Sequence, residues 1–350
     1  MRAVRYDGFG AQPALAEVPD PVCPPRGAVI AVHATGVCRS DWHAWQGHDD
    51  TVHLPHIPGH EFAGVVQEVG AGVTRVAPGD RVTAPFILSC GRCAQCRAGA
   101  TQVCPAQRQP GFDLPGSWAE QVVVIEADHN LVPLPDGIDM TLAAGLGCRV
   151  GTAYHAVRAQ AAVTPGECVV VYGCGGLGLA AVQVARAIGA EVLAVDVSER
   201  ALAAAAALGA TPVPFAADVA EQVRAATDGG ADVSLDALGS AATAGAALSS
   251  LRPRGRHVQV GLLLGEDAEA PLPMGRVIAQ ELQILGSHGL AAAEYRDLLE
   301  EIAGGRLDLG ATVGRLLDLE DLPAAMLAMD HPPTSAGMTI ARVGCGTMSA

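Results

Sequence analysis

Four cysteines within fifteen residues, Cys90-x2-Cys93-x2-Cys96-x7-Cys104, constrain this chain more than any other stretch of it. Zinc takes four thiolates tetrahedrally, and a Cys-x2-Cys turn is about the shortest that presents two sulfurs to one ion. A disulfide pair and an iron–sulfur cluster are the competing readings. The first conflicts with a cytosolic setting, and the second usually has a different spacing and partner pattern. The expected site is structural zinc with no open coordination position, whose role is to hold its loop. Of the ten cysteines in the chain, Cys38 and Cys148 also fall at informative places. The remaining Cys23, Cys168, Cys174 and Cys345 read as small apolar filler.

A length of 350 residues suits about two domains. The formal charge is −15, and all 22 basic residues are Arg, because the sequence contains no Lys. There is no basic footprint for nucleic acid, and Schiff-base chemistry on lysine is excluded. No stretch approaches the ~20 apolar residues of a membrane span. The N-terminus, Met1–Tyr6, lacks the apolar core of a signal peptide. A soluble, cytoplasmic protein with neither nucleic acid nor membrane as partner is expected.

The texture changes near residue 150. Before it, β-rich runs at Val29–Ala34, Phe62–Val69, Arg81–Ala84 and Ala119–Val124 lie between turn signals such as Pro78-Gly79-Asp80. After it, strands Cys168–Tyr172, Glu191–Val195, Asp232–Ala237, His257–Gly261 and Gln283–Leu285 alternate with helical runs such as Leu177–Ile188 and Ser198–Leu208. That alternation indicates βαβ units and a parallel sheet. The tail adds a helix, Glu294–Ala303, and a β-like segment, Met338–Val343. The expected class is α/β, a mostly-β domain plus a doubly wound parallel sheet.

Two motifs carry chemistry. Gly173-x-Gly175-x2-Gly178 follows the strand ending at Tyr172 and opens a helix, and Asp196 ends the next strand. In that context the glycines admit a pyrophosphate to a helix N-terminus, and the carboxylate accepts from ribose hydroxyls. Asp196 would repel a 2′-phosphate, so NAD is preferred over NADP. The second motif is dispersed: Cys38-Arg39-Ser40-Asp41-Trp42-His43, Gly59-His60-Glu61, and Cys148. Two thiolates and an imidazole would leave one zinc position open, as Lewis-acid catalysis requires.

The pattern Gly59-His60-Glu61-x2-Gly64-x5-Gly70-x2-Val73 resembles the zinc signature of the zinc-dependent medium-chain alcohol dehydrogenase family, and Cys38–Gly47 resembles the active-site segment of its yeast-type members. The resemblance implies a GroES-like catalytic domain over 1–150 and 287–350, interrupted by a Rossmann NAD-binding domain over 151–286. It implies two zinc ions per subunit, with Cys38, His60 and Cys148 on the catalytic one. Asp41 would orient His60, Glu61 would act as a transient ligand, Ser40 would bond the substrate oxygen, and His43 would end a proton relay. For the cofactor it implies Arg39, Thr152, Gly176, Leu177, Arg200, Val260 and Gly261 beside the glycines and Asp196. A second basic residue is expected just after a C-terminal glycine, but Met338 follows Gly337, with Arg342 four residues on. Trp45 and Phe86 would line the substrate channel and favour small or slender primary alcohols and their aldehydes. Cys148 argues against polyol dehydrogenases, which tend to carry Glu there. A homo-oligomer, tetramer or dimer, is also implied. A dehydrogenase of polyols, amino acids or other secondary alcohols, and a non-catalytic nucleotide sensor, are the alternatives.

Overall fold

The computed structural model describes residues 1–344, and Cys345 lies outside the described residues. Six parallel strands form one sheet, in the order Thr211–Pro214, Glu191–Asp196, Cys168–Tyr172, Ala231–Asp236, Leu251–Gln259, Gln283–Gly286. The order reverses between Cys168–Tyr172 and Ala231–Asp236, the switch point where a doubly wound sheet opens a crevice at its carboxyl edge. The central strands are buried throughout, as Val169–Tyr172 and Ala231–Asp236 show. That burial explains why they read as continuous apolar runs and not as alternating ones.

The helix after the first of these strands, Gly176–Ile188, ends at Gly189, whose φ of +95° closes it in the left-handed region. The next helix, Glu199–Ala207, is capped by Ser198, whose hydroxyl accepts from the Ala201 N–H. Among the described residues no helix is long and apolar enough to cross a membrane.

The second sheet is mostly antiparallel. Its path runs Val313–Asp318, Met338–Arg342, Ala28–Val37, Phe62–Val69, Arg81–Thr83, Val132–Pro133, and Gln121–Val124 pairs with Ala28–Val37. Strands early and late in the chain therefore share a sheet, and Met338–Arg342 returns beside Ala28–Val37. One apolar core joins the two sheets, in which Leu146 and Val150 pack with Val169, Leu179 and Leu290.

Three features depart from the reading of the sequence. The strand expected at His257–Gly261 begins at Leu251 and ends at Gln259. Pro253 and Gly255 had masked its start, because the pairing jumps from Ala231↔Leu251 to Val233↔Arg256 around Arg254 at φ +64°. The strand expected from Ala119 starts at Gln121, while Ala119 forms an isolated bridge to Ala3. The segment Arg39–Trp45 is a seven-residue helix, closed at its start by Asp41, whose carboxylate accepts from the Cys38 N–H at 2.9 Å.

Candidate active site and metal centres

In the four-cysteine loop, the recorded sulfur–sulfur distances run from 3.4 Å (Cys93–Cys96) to 4.0 Å (Cys90–Cys96), with 3.6 and 3.8 Å from Cys104 to Cys90 and Cys93. A tetrahedron of thiolates about 2.3 Å from zinc has edges of about 3.8 Å, whereas a disulfide bond is about 2.05 Å. All four thiols are free and lie within 4.8 Å of one another. Backbone N–H groups turn inward: that of Cys96 donates to Cys93 Sγ at 3.4 Å, and that of Cys90 to Cys104 Sγ at 3.5 Å. Such donors favour the thiolate, and those of Arg92 and then Cys93 hold the Cys90 thiol down at about 6. The donor set fits zinc.

The second cluster is assembled from three segments. Cys38 follows strand Ala28–Val37, His60 follows the turn at Gly59, and Cys148 precedes helix Arg149–His155. Gly59 is at φ +101°, and a Cβ there would stand 2.4 Å from the Trp118 ring, so the turn that delivers His60 requires glycine. The two sulfurs and the imidazole lie within 4.8 Å of one another.

Asp41 is fully buried and accepts from Cys38 N–H, Gly59 N–H (3.1 Å) and His60 Nδ1 (2.9 Å). Since the carboxylate accepts, Nδ1 carries the proton and Nε2 presents its lone pair. That Nε2 is buried without a hydrogen-bond partner, a costly arrangement unless a cation fills it. The hydrogen bond with Cys148, then His60 and Arg149, hold the Cys38 thiol well below its ordinary value against the cost of burial. These residues fit a zinc ion with one open position.

Ser40 Oγ stands 3.8 Å from Cys38 Sγ, beside the cluster. His43 lies one turn further along the helix, half-buried, its Nδ1 3.0 Å from Nδ1 of the exposed His48. Glu61 is fully buried, and both carboxylate oxygens meet Arg149: Oε1 accepts its backbone N–H at 2.8 Å and Nε at 3.0 Å, and Oε2 accepts Nη2. Sequence reading overlooked both Arg149 and His48. In a chain without lysine a buried carboxylate can pair only with Arg or His, and Arg149 follows directly on Cys148.

The glycine turn lies at the carboxyl edge of the parallel sheet. Gly173 has φ +89°, and a Cβ on Gly178 would come 1.8 Å from Gly173 O, so helix and turn close only with glycine there. Above Gly175 the space a Cβ would take is open. Leu177 follows in the helix's first turn. Asp196 accepts from the Cys174 and Ser198 N–H groups at 2.7 and 2.8 Å, which fixes its carboxylate beside the turn.

Val260 and Gly261 follow strand Leu251–Gln259, both N–H groups donating to Asp236 O. Thr152 is buried with an unpartnered hydroxyl. Arg39 stacks over Trp42 at 3.8 Å and donates to the Met329 carbonyl, while Arg200 is exposed and donates to the Thr334 carbonyl.

Phe86 and Phe112 are the aromatic rings recorded against His60, at 6.0 and 5.3 Å. Phe86 also meets His288 at 5.3 Å, and His288 lines a cavity of about 530 Å³ with Val260, Gly261 and His155. Trp45 is 3 % exposed, packs in the core of the mostly antiparallel sheet, and donates its indole N–H to Ala11 O at 2.6 Å. Its surroundings are those of a packing residue. Phe112 and His288 carried no motif that would have singled them out.

Residues 24–136 match the alcohol dehydrogenase GroES-like domain, and residues 176–304 match the zinc-binding dehydrogenase domain. An alcohol dehydrogenase of Geobacillus stearothermophilus is 35 % identical over 332 residues, covering 93 % of this chain and 96 % of that protein. A sorbitol dehydrogenase of Halalkalibacterium halodurans is 34 % identical over 298 residues, covering 82 % and 83 %. The solved alcohol dehydrogenase TADH from Thermus sp. ATN1 superposes with a TM-score of 0.89 at 33 % identity, covering 98 % of this chain and all of that one. By sequence, fold and metal-ready clusters together, the chain belongs to the zinc-dependent medium-chain alcohol dehydrogenase family.

Proposed function

We propose that the protein oxidises small primary alcohols, or small secondary ones, to the aldehyde or ketone with NAD as hydride acceptor, and runs the reverse reduction. The observation that carries this reading is the buried, unpartnered Nε2 of His60 gathered with the two thiols of Cys38 and Cys148, Ser40 Oγ standing 3.8 Å from Cys38 Sγ, in a chain that also carries the glycine turn of a dinucleotide fold. In it, Cys38, His60 and Cys148 hold the catalytic zinc, and Cys90, Cys93, Cys96 and Cys104 the structural one. A bound zinc supplies the Lewis acidity that makes a hydroxyl easier to ionise.

The rest falls to the chain. Asp41 fixes the His60 ring, Ser40 takes the hydroxyl proton, and His43 passes it outward. Burial, then Arg39 and His48, press the His43 pKa down to about 4, so at neutral pH the ring is neutral and holds a proton only in passing. Asp196 favours NAD, because a fixed carboxylate beside the turn accepts from ribose hydroxyls and repels a phosphate. The same reading divides the chain into a catalytic domain, 1–150 with 287–350, and a nucleotide domain, 151–286. It takes the protein as cytoplasmic, as the sequence reading does, and, from the resemblance, as a homo-oligomer, tetramer or dimer.

A polyol dehydrogenase is the second reading, favoured by the likeness to a sorbitol dehydrogenase. The two separate in one experiment, reduction of NAD and NADP across primary alcohols, secondary alcohols and polyols, with zinc counted per chain. Turnover of primary alcohols with NAD and two zinc ions per chain is the expected result. Turnover of polyols alone would overturn the substrate class, and preference for NADP would overturn the role of Asp196.

A further inference from the structure

Arg149 is 7 % exposed, and its guanidinium has five N–H donors to place. Four have partners. Nε donates to Glu61 Oε1 at 3.0 Å, Nη2 to Glu61 Oε2 and to the Thr339 carbonyl at 3.4 Å, and Nη1 to the Val37 carbonyl at 3.2 Å. The fifth is on Nη1, and Nη1 lies against the glycine turn: a Cβ built on Gly176 would stand 3.4 Å from it. Gly176 is the first residue of a thirteen-residue helix, whose free N–H groups and dipole attract anions.

The late basic residue that the family resemblance led one to expect is absent from this place. Met338 fills the space instead, its Cγ 2.5 Å from the same Cβ position. Arg342 lies four residues along the strand, roughly 13 Å away at ~3.3 Å per residue, and pairs in register with Ala34 and Asp318.

We propose that Arg149 is the cation for the dinucleotide pyrophosphate, donating its remaining Nη1 hydrogen over Gly176, and that Glu61 is the residue that positions it. The proposal rests on the cofactor reading above. Glu61, engaged on both oxygens, then serves the cofactor through Arg149 and is not free to visit the metal. A purely structural ion pair is the rival account, since the same guanidinium ties Val37, Thr339 and Glu61 together.

Removing Arg149 alone would strand a buried carboxylate, so the test uses Arg149→Met with Glu61→Gln. Binding of NADH, ADP and adenosine is measured by equilibrium titration on the zinc-loaded chain, and the fold is followed by thermal melting. NADH and ADP should bind at least about tenfold more weakly, as for a lost charged hydrogen bond, with adenosine unchanged. Adding Met338→Arg should recover the loss. Unchanged ADP affinity, or equal weakening of ADP and adenosine, overturns the proposal. If the double variant does not fold, Arg149→Lys replaces it. Lys keeps the charge but not the fork, so ADP should again weaken selectively, and wild-type affinity there overturns the proposal equally. Failure of the wild-type chain to bind NADH at all would instead overturn the cofactor reading.

Discussion

The four-cysteine loop draws all its sulfurs from one fifteen-residue segment, while Cys38, His60 and Cys148 come from the end of a strand, a glycine turn and the start of a helix. The loop orients its thiols with its own backbone N–H groups. The dispersed cluster depends on neighbours: Asp41 turns the His60 ring, and Arg149 engages the adjacent Glu61. Four thiols from one loop would fill every position of a tetrahedral ion. A site built across segments can keep one position open, because no single loop has to satisfy the ion. Of the two clusters, the one that spacing alone reveals is the one with no open position for a substrate.

The largest expected effect of that difference is at Cys38. Cys38→Ser should lower turnover by about a thousandfold or more, as loss of a metal's several kcal/mol of charge stabilisation implies. Zinc per chain should fall from two to one, and NADH affinity should stay the same. Turnover close to wild type would erase the distinction drawn here.

Cys104→Ser should act in the other direction. A metal held by the loop would contribute folding energy, so the thermal midpoint should drop by about 5–10 °C, while turnover per remaining catalytic zinc is kept. A selective loss of turnover with no loss of stability would mean that the loop takes part in the reaction.

The smallest effect concerns His43, which has no counterpart in the cysteine loop. Its pKa in the fold, about 4, is below the ordinary value of about 6.5. Between those values the unfolded chain binds more protons than the folded one, so the ring's contribution to stability is lost as pH falls from about 6.5 to 4. The ring is partly exposed, and solvent screening reduces the effect to about 1 kcal/mol or less. Denaturant titrations of His43→Gln and wild type should converge by that amount across the window. The variant's turnover should slow and recover with added imidazole, and an unchanged pH–rate profile would end the relay assignment.

The glycine turn, the parallel strands around it and the four-cysteine loop were legible in the chain because each follows from local chemistry, whereas Cys38, His60 and Cys148 were legible only through the motifs around them and the family resemblance. Gly178 must lack a Cβ to pass Gly173 O, buried parallel strands must be apolar on both faces, and thiols on a short turn must face one another. The short helix at Arg39–Trp45 and the bulged start of strand Leu251–Gln259 were not legible, since seven residues are too few to show a helical period and the bulge is set by a neighbouring strand. Arg149 is the sharpest case. Its type is visible at once, yet its role depends on Glu61, Val37, Thr339 and Gly176, which no spacing rule brings together. Spacing encodes only what neighbours in the chain can do to one another. A buried charge takes its meaning from distant partners, which meet only when the core has closed.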